Sequence, residues 1–346
     1  MRRPLKVHCK EVVLGGWPVI RWKAGILAER IHIQLEKWID STSLCFFERE
    51  WRKRIYSPTE IVFLEGLFFI VDWGHGRILY SNEFNENIDV WKTLSSKLAG
   101  PHSIATDGRY YITEDTGRHR LFVFKKTLNE SFCQVQIIPN IGCRPHRVVY
   151  SKKTERFYVL ASESQEMFVL GVSHKGPMAI ENIQSLSFLE NAYTRSFCII
   201  DDAMYFVSGP GKIIVTSFEN NNYDVLAEFA LPEAMWSMND IQKIGDYYYV
   251  SYTLPSSGEG NIIRTRNLSK IREGEYEDLT SLLGFKGVPY HVSLIDGRLY
   301  IAELAIYTSI VSCELTPHGE IRDVKKHFDY GPAIASSKKR KKLYPI

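Results

Sequence analysis

The sequence has no CxxC pair. Its six cysteines, Cys9, Cys45, Cys133, Cys143, Cys198 and Cys313, are scattered over 346 residues. That spacing excludes a zinc ribbon and outlines no disulfide framework; it fits reduced thiols and a cytoplasmic location. No apolar run approaches the roughly 18 residues that a membrane helix requires, so no membrane span is expected. Val12 to Ile20 follows basic residues, but Trp17-Pro18 and the want of a small-residue cleavage site argue against a signal peptide. Charge of one sign is lacking too. Lys and Arg number 43 against 40 Asp and Glu, and a net charge of +3 does not by itself point to nucleic acid. No GxSxG elbow, Walker loop or GxGxxG turn between strand and helix is found. Helical periods between the strand-like runs are lacking as well, which excludes a TIM barrel.

Aromatic residues are plentiful, with 19 Tyr and 18 Phe, and they favour strands. Gly100 to Phe124 reads as strand, turn, strand, turn, strand. Asp107-Gly108 marks a tight turn, because both residues tolerate positive φ. The same unit recurs from Ser57, Arg144, Tyr193, Ser237 and Val288. Equivalent starts fall at Pro58, Pro101, Pro145, Thr194, Met238 and Pro289, about 40–50 residues apart, and the residues between units supply a fourth strand. Four strands at that period predict an all-β fold, a six-bladed β-propeller, with seven blades as the alternative. The expected organisation is a segment 1–55, the propeller over 56–335, and a basic tail over 336–346. Segment 1–55 is expected to close the ring by donating a strand to the last blade, to cap it, or to form a degenerate blade. The tail carries Lys338, Lys339, Arg340, Lys341 and Lys342, and a solvated end is its expected role.

Phe69-Ile70-Val71-Asp72 with Arg77-Ile78, and Tyr111-Ile112-Thr113-Glu114-Asp115 with Arg120-Leu121, resemble the NHL class of propeller repeat. A turn Asp and a strand Arg five residues on can meet across the hairpin. Later units lose one or both members. Pro101-His102-Ser103-Ile104 and Pro145-His146-Arg147-Val148 also resemble the blade starts of peptidyl-hydroxyglycine amidating lyase, a six-bladed propeller of this kind. That resemblance implies channel histidines aimed at zinc. In Pro289-Tyr290-His291-Val292 the His is displaced by one, and neighbours on a strand point opposite ways.

Aligned blade starts bring Thr59 or Glu60, His102, His146, Arg195, Asn239 or Asp240, and Tyr290 or His291 to one mouth of the channel. Such a polar ring suits a binding site. His102, His146, Arg195 and Tyr290 are the candidate catalytic residues, with Arg195 as an anion fork and Tyr290 as proton donor. Glu60, Arg195, Asn239, Asp240, Tyr290, Trp73 and Trp236 are the candidate ligand contacts. His102, His146 and His291, helped by Glu60 or Asp240, are the candidate zinc ligands; Glu60 with Asn239 could begin a calcium site. The expected function is recognition of a polar molecule, anionic or glycan-like, or of a protein partner. The alternative is a metal-assisted lyase or hydrolase working in the channel.

Overall fold

The computed structural model describes residues 53–330 except 175, 191, 210, 255–258 and 306. Expectations for the first 52 residues, the basic tail and Pro210 lie outside the described residues. The described chain folds as a six-bladed β-propeller, each blade a four-stranded antiparallel sheet in simple chain order. The blades span 58–95, 104–139, 145–185, 193–230, 237–278 and 288–327. In each, the first strand lines the channel and the fourth forms the rim.

Burial explains the composition of the strands. The second strands Leu67–Asp72 and Tyr110–Asp115 are buried at every residue, because both faces of a blade are covered by its neighbours. Rim strands such as Phe132–Pro139 are largely exposed. Rim strands in blades 1, 2, 3, 4 and 6 each carry a register shift. Such irregularities twist an open edge and discourage strand addition. At Asp296-Gly297 both residues have positive φ, 49° and 76°, the conformation of a two-residue hairpin turn that twists with its strands.

Six hydrophobic clusters fill the six interfaces between blades. One joins the last blade to the first through Ile61, Ile70, Leu79, Ile295, Tyr300 and Ile310. The sixth sheet takes its rim strand from Ile321–His327. Among the described residues this sheet has four strands, and blade 6 meets blade 1 through that cluster. The strand expected from segment 1–55 falls outside the described residues.

Candidate functional site at the channel mouth

The first strands hold the site. In blade 1, Pro58 pairs with Asp72 and Glu60 with Val71, so Thr59 is an extra residue. His146, Arg195 and Asn239 are extra in the same way. In blade 6 the register shifts between Pro289 and Val292, around Tyr290 and His291. A bulge suspends the alternation of a strand. Adjacent residues can then both face the axis, one layer apart. The choices left open by the sequence thus resolve as two layers. Thr59, His102, His146, Arg195, Asn239 and Tyr290 make the upper one, and Glu60, Ser103, Arg147, Ser196, Asp240 and His291 the lower.

In the upper layer the rings of His102 and His146 lie 3.7 Å apart, centroid to centroid. Trp73 meets His102 edge-on at 6.2 Å, His146 meets Tyr193 at 6.2 Å, and Tyr290 lies 6.4 Å from His102 across the mouth. Arg195 and Arg144 sit 5.8 Å and 5.7 Å from the centre of the Tyr193 ring. Asn239 accepts from Arg195 Nη1 at 2.6 Å, and its own amide is fixed by Thr253 and the Pro289 carbonyl, each at 3.2 Å. His102 Nδ1 donates to the Gly100 carbonyl at 2.8 Å. That bond sets the tautomer and leaves Nε2 as the acceptor.

Both upper imidazoles are neutral at ordinary pH. Burial, and then the nearby guanidinium charges, push His102 down to about 3 and His146 well below the usual histidine range. The Gly100 carbonyl pulls His102 the other way but does not prevail. Tyr290 is pushed upward by burial and keeps its proton. Beneath His102, Glu114 accepts from the backbone N–H groups of His102 at 2.5 Å and Ser103 at 2.6 Å.

The lower layer is a buried polar belt. Glu60 accepts from Arg147 Nη1 at 2.6 Å and from the Ile104 amide at 2.8 Å. His291 Nε2 stands 3.5 Å from Glu60 and 3.7 Å from Asp240. Asp240 accepts from Ser196 at 2.7 Å and Gln242 at 3.1 Å. Burial raises both Glu60 and Asp240, with Arg147 opposing. Burial, and then the Arg147 charge, lower His291 well below the usual histidine range.

The structure thus brings together His102, His146, Arg195, Asn239 and Tyr290, with Trp73 beside them. Glu60, Asp240 and His291 form the belt below. His291 does not join the His102–His146 pair, and among the described residues no three His, Cys, Asp or Glu side chains are grouped to hold a metal. Trp236 stands on the entry to blade 5 and is exposed, without a ring contact to the site among the described residues. Arg144, Arg147, Tyr193 and Glu114 were not foreseen. Arg144 and Arg147 flank Pro145-His146 in sequence, and that adjacency was the available signal. Asp72 and Asp115 do meet Arg77 and Arg120, both at 2.7 Å. They also accept from the backbone N–H of Tyr56, at 2.7 Å, and of Ala99, so they brace the loops entering their blades.

The architecture and this mouth define a six-bladed propeller with a polar axial site. No sequence family and no curated protein matches the chain. Solved structures do share its fold. It is similar to a candidate 6-phosphogluconolactonase from Bacteroides fragilis, with 13% identity over 79% of this chain and 85% of the other and a TM-score of 0.56. A second candidate 6-phosphogluconolactonase, from Bacteroides uniformis, gives 14% identity, 75% and 80% coverage, and 0.54. A protein from Lactobacillus plantarum gives 13%, 79% and 85%, and 0.54. No helix among the described residues is long and apolar enough to cross a membrane.

Proposed function

We propose that the channel mouth binds a polar small molecule, anionic or glycan-like, through Arg195. The observation that carries this is the state of that guanidinium. It is half-buried, held by the neutral amide of Asn239, and faces no carboxylate among the described residues. A positive charge positioned this way is prepared for an anion. Neutral His102, His146 and Tyr290 add hydrogen-bonding groups, and Trp73 is 38% exposed beside them. Buried thiols at Cys198 and Cys313 support a reducing, cytoplasmic setting. Calorimetry with gluconate, 6-phosphogluconate and glucuronate tests the reading. At least one anion is expected to bind, and Arg195→Gln to weaken it about tenfold or more; no binding to any of them defeats it.

A second reading, a hydrolase in the channel, is favoured by one observation. The His102 Nδ1 bond to Gly100 leaves Nε2 as a hydrogen-bond acceptor at the mouth, suited to orient an attacking water. Two of the fold's neighbours are described as acting on a phosphorylated lactone, so 6-phosphogluconolactone is the first substrate to try. Turnover abolished by His102→Ala supports this reading; binding without turnover leaves the receptor. For a metal-assisted version, no third His, Cys, Asp or Glu is grouped with the imidazole pair among the described residues. Glu60 is engaged by Arg147 and Asn239 by Arg195, so the calcium donors are committed elsewhere. No step is therefore assigned to a metal.

A further inference from the structure

We infer that the ligand of the mouth is a monoanion, a carboxylate carried on a ring-bearing frame, and that the site discriminates against a phosphate dianion. The inference rests on the anion-binding reading above and adds the charge and shape of the ligand.

The first ground is the placement of charge. Three guanidinium groups stand near the axis. Arg144 is paired with Glu163 at 3.3 Å, and Arg147 with Glu60 at 2.6 Å. Among the described residues Arg195 meets the Asn239 amide and the Tyr193 ring but no carboxylate. The mouth thus presents one uncompensated positive charge. The layer beneath adds none: its two carboxylates, Glu60 and Asp240, share a single guanidinium. A second negative charge on the ligand would face that belt across one layer of side chains. In a buried site an unmatched charge is costly, so a monoanion fits and a dianion does not.

The second ground is the imidazole pair. A phosphate could be accommodated if His102 or His146 took up a proton. Their rings are 3.7 Å apart, so a charge on one is felt by the other, and both lie near two guanidinium groups. Burial opposes the uptake as well. The pair is suited to hydrogen bonding with hydroxyl groups rather than to neutralising a phosphate.

The third ground is shape. Arg195 is fixed at Nη1, and its remaining donors form a fork that either a carboxylate or a phosphate can accept from bidentately, so charge chooses between the two and shape sets the rest of the ligand. Aromatic rings run from Trp73 through His102 and His146 to Tyr193, across blades 1 to 4, and end at Arg195. A ligand anchored at Arg195 would reach along that arc, and a ring is the frame that packs against it.

Matched probes test this. Calorimetry at pH 8, where a phosphate monoester is a dianion, compares glucuronate with glucose 6-phosphate, and benzoate with phenyl phosphate. In at least one pair the carboxylate is expected to bind tenfold or more tighter than its phosphate partner. Arg195→Gln should remove the preference, and Trp73→Ala should weaken the carboxylate without inverting it. Lowering the pH to 6 should narrow the gap as the phosphate gains a proton. Equal affinities, or a tighter phosphate, at pH 8 overturn the monoanion inference and leave anion binding standing. If no probe from either pair binds, the monoanion inference falls, and anion binding falls with it when gluconate and 6-phosphogluconate also fail to bind.

Discussion

His102 and Glu114 touch through one backbone amide and titrate in opposite senses. His102 has its folded pKa depressed to about 3. Protonation therefore favours the unfolded chain, and stability is lost as pH falls below the ordinary value near 6.5. Between pH 6.5 and 4.5 this one group should cost about 2–3 kcal/mol. Glu114 is raised by burial to about 8, against the pull of its donors. It holds a proton more tightly when folded, so its contribution declines as pH climbs from the usual carboxylate range to 8. Urea midpoints at pH 4.5, 7 and 9 check both limbs. His102→Gln should lose less than the wild type on the acid side, and Glu114→Gln less on the alkaline side. Identical profiles in all three proteins would remove the buried titrations from the account. His102 was legible because Pro-His recurs at blade starts. Glu114 was not, because a buried carboxylate beneath a bulge leaves no periodic mark.

The blade was the most legible element. Strand composition, Asp-Gly turns and a steady period gave four strands per unit, and the Asp–Arg pair across a hairpin is present in blades 1 and 2. The bulge was illegible, since it obeys no residue preference that a single sequence exposes. The alternation rule therefore placed Tyr290 and His291 on opposite faces, whereas a bulge stacks them in successive layers. The hairpin clamp can be tested alone. Asp115 has a fully buried side chain and holds Arg120, Arg118 and the Ala99 amide. Removing it strands the Ala99 amide and releases Arg120 and Arg118, which are 29% and 46% exposed and can turn to solvent, so Asp115→Ala should cost about 1–3 kcal/mol. An exposed pair such as Lys153–Asp202 should give about 0–1 kcal/mol when broken. Chemical denaturation of the two variants makes the comparison; similar losses would mean that the clamp is not a buried one in effect.

At the scale of the whole ring, consecutive blades are joined by short connections, whereas blade 6 meets blade 1 with no such link between 327 and 58 in the chain. That seam depends on the cluster around Ile61, Tyr300 and Ile310, on Ser293 donating to the Ile61 carbonyl, and on the Ser57 amide donating to Thr308 at 3.3 Å. The lower belt crosses it too, through His291 and Glu60. A closed toroid should open first where, among the described residues, no chain connection joins the two blades, because separating them there requires no loop to extend. Ile310→Ala at the seam and Ile263→Ala between blades 4 and 5 remove equally buried side chains. Each should cost about 2–5 kcal/mol in global stability. Hydrogen exchange should separate them. The seam variant should speed exchange in residues 58–95 and 288–327 ahead of the rest, while Ile263→Ala should show no such early pair. If both variants exchange uniformly, the ring unfolds as one cooperative unit and its seam is no weaker than its other interfaces.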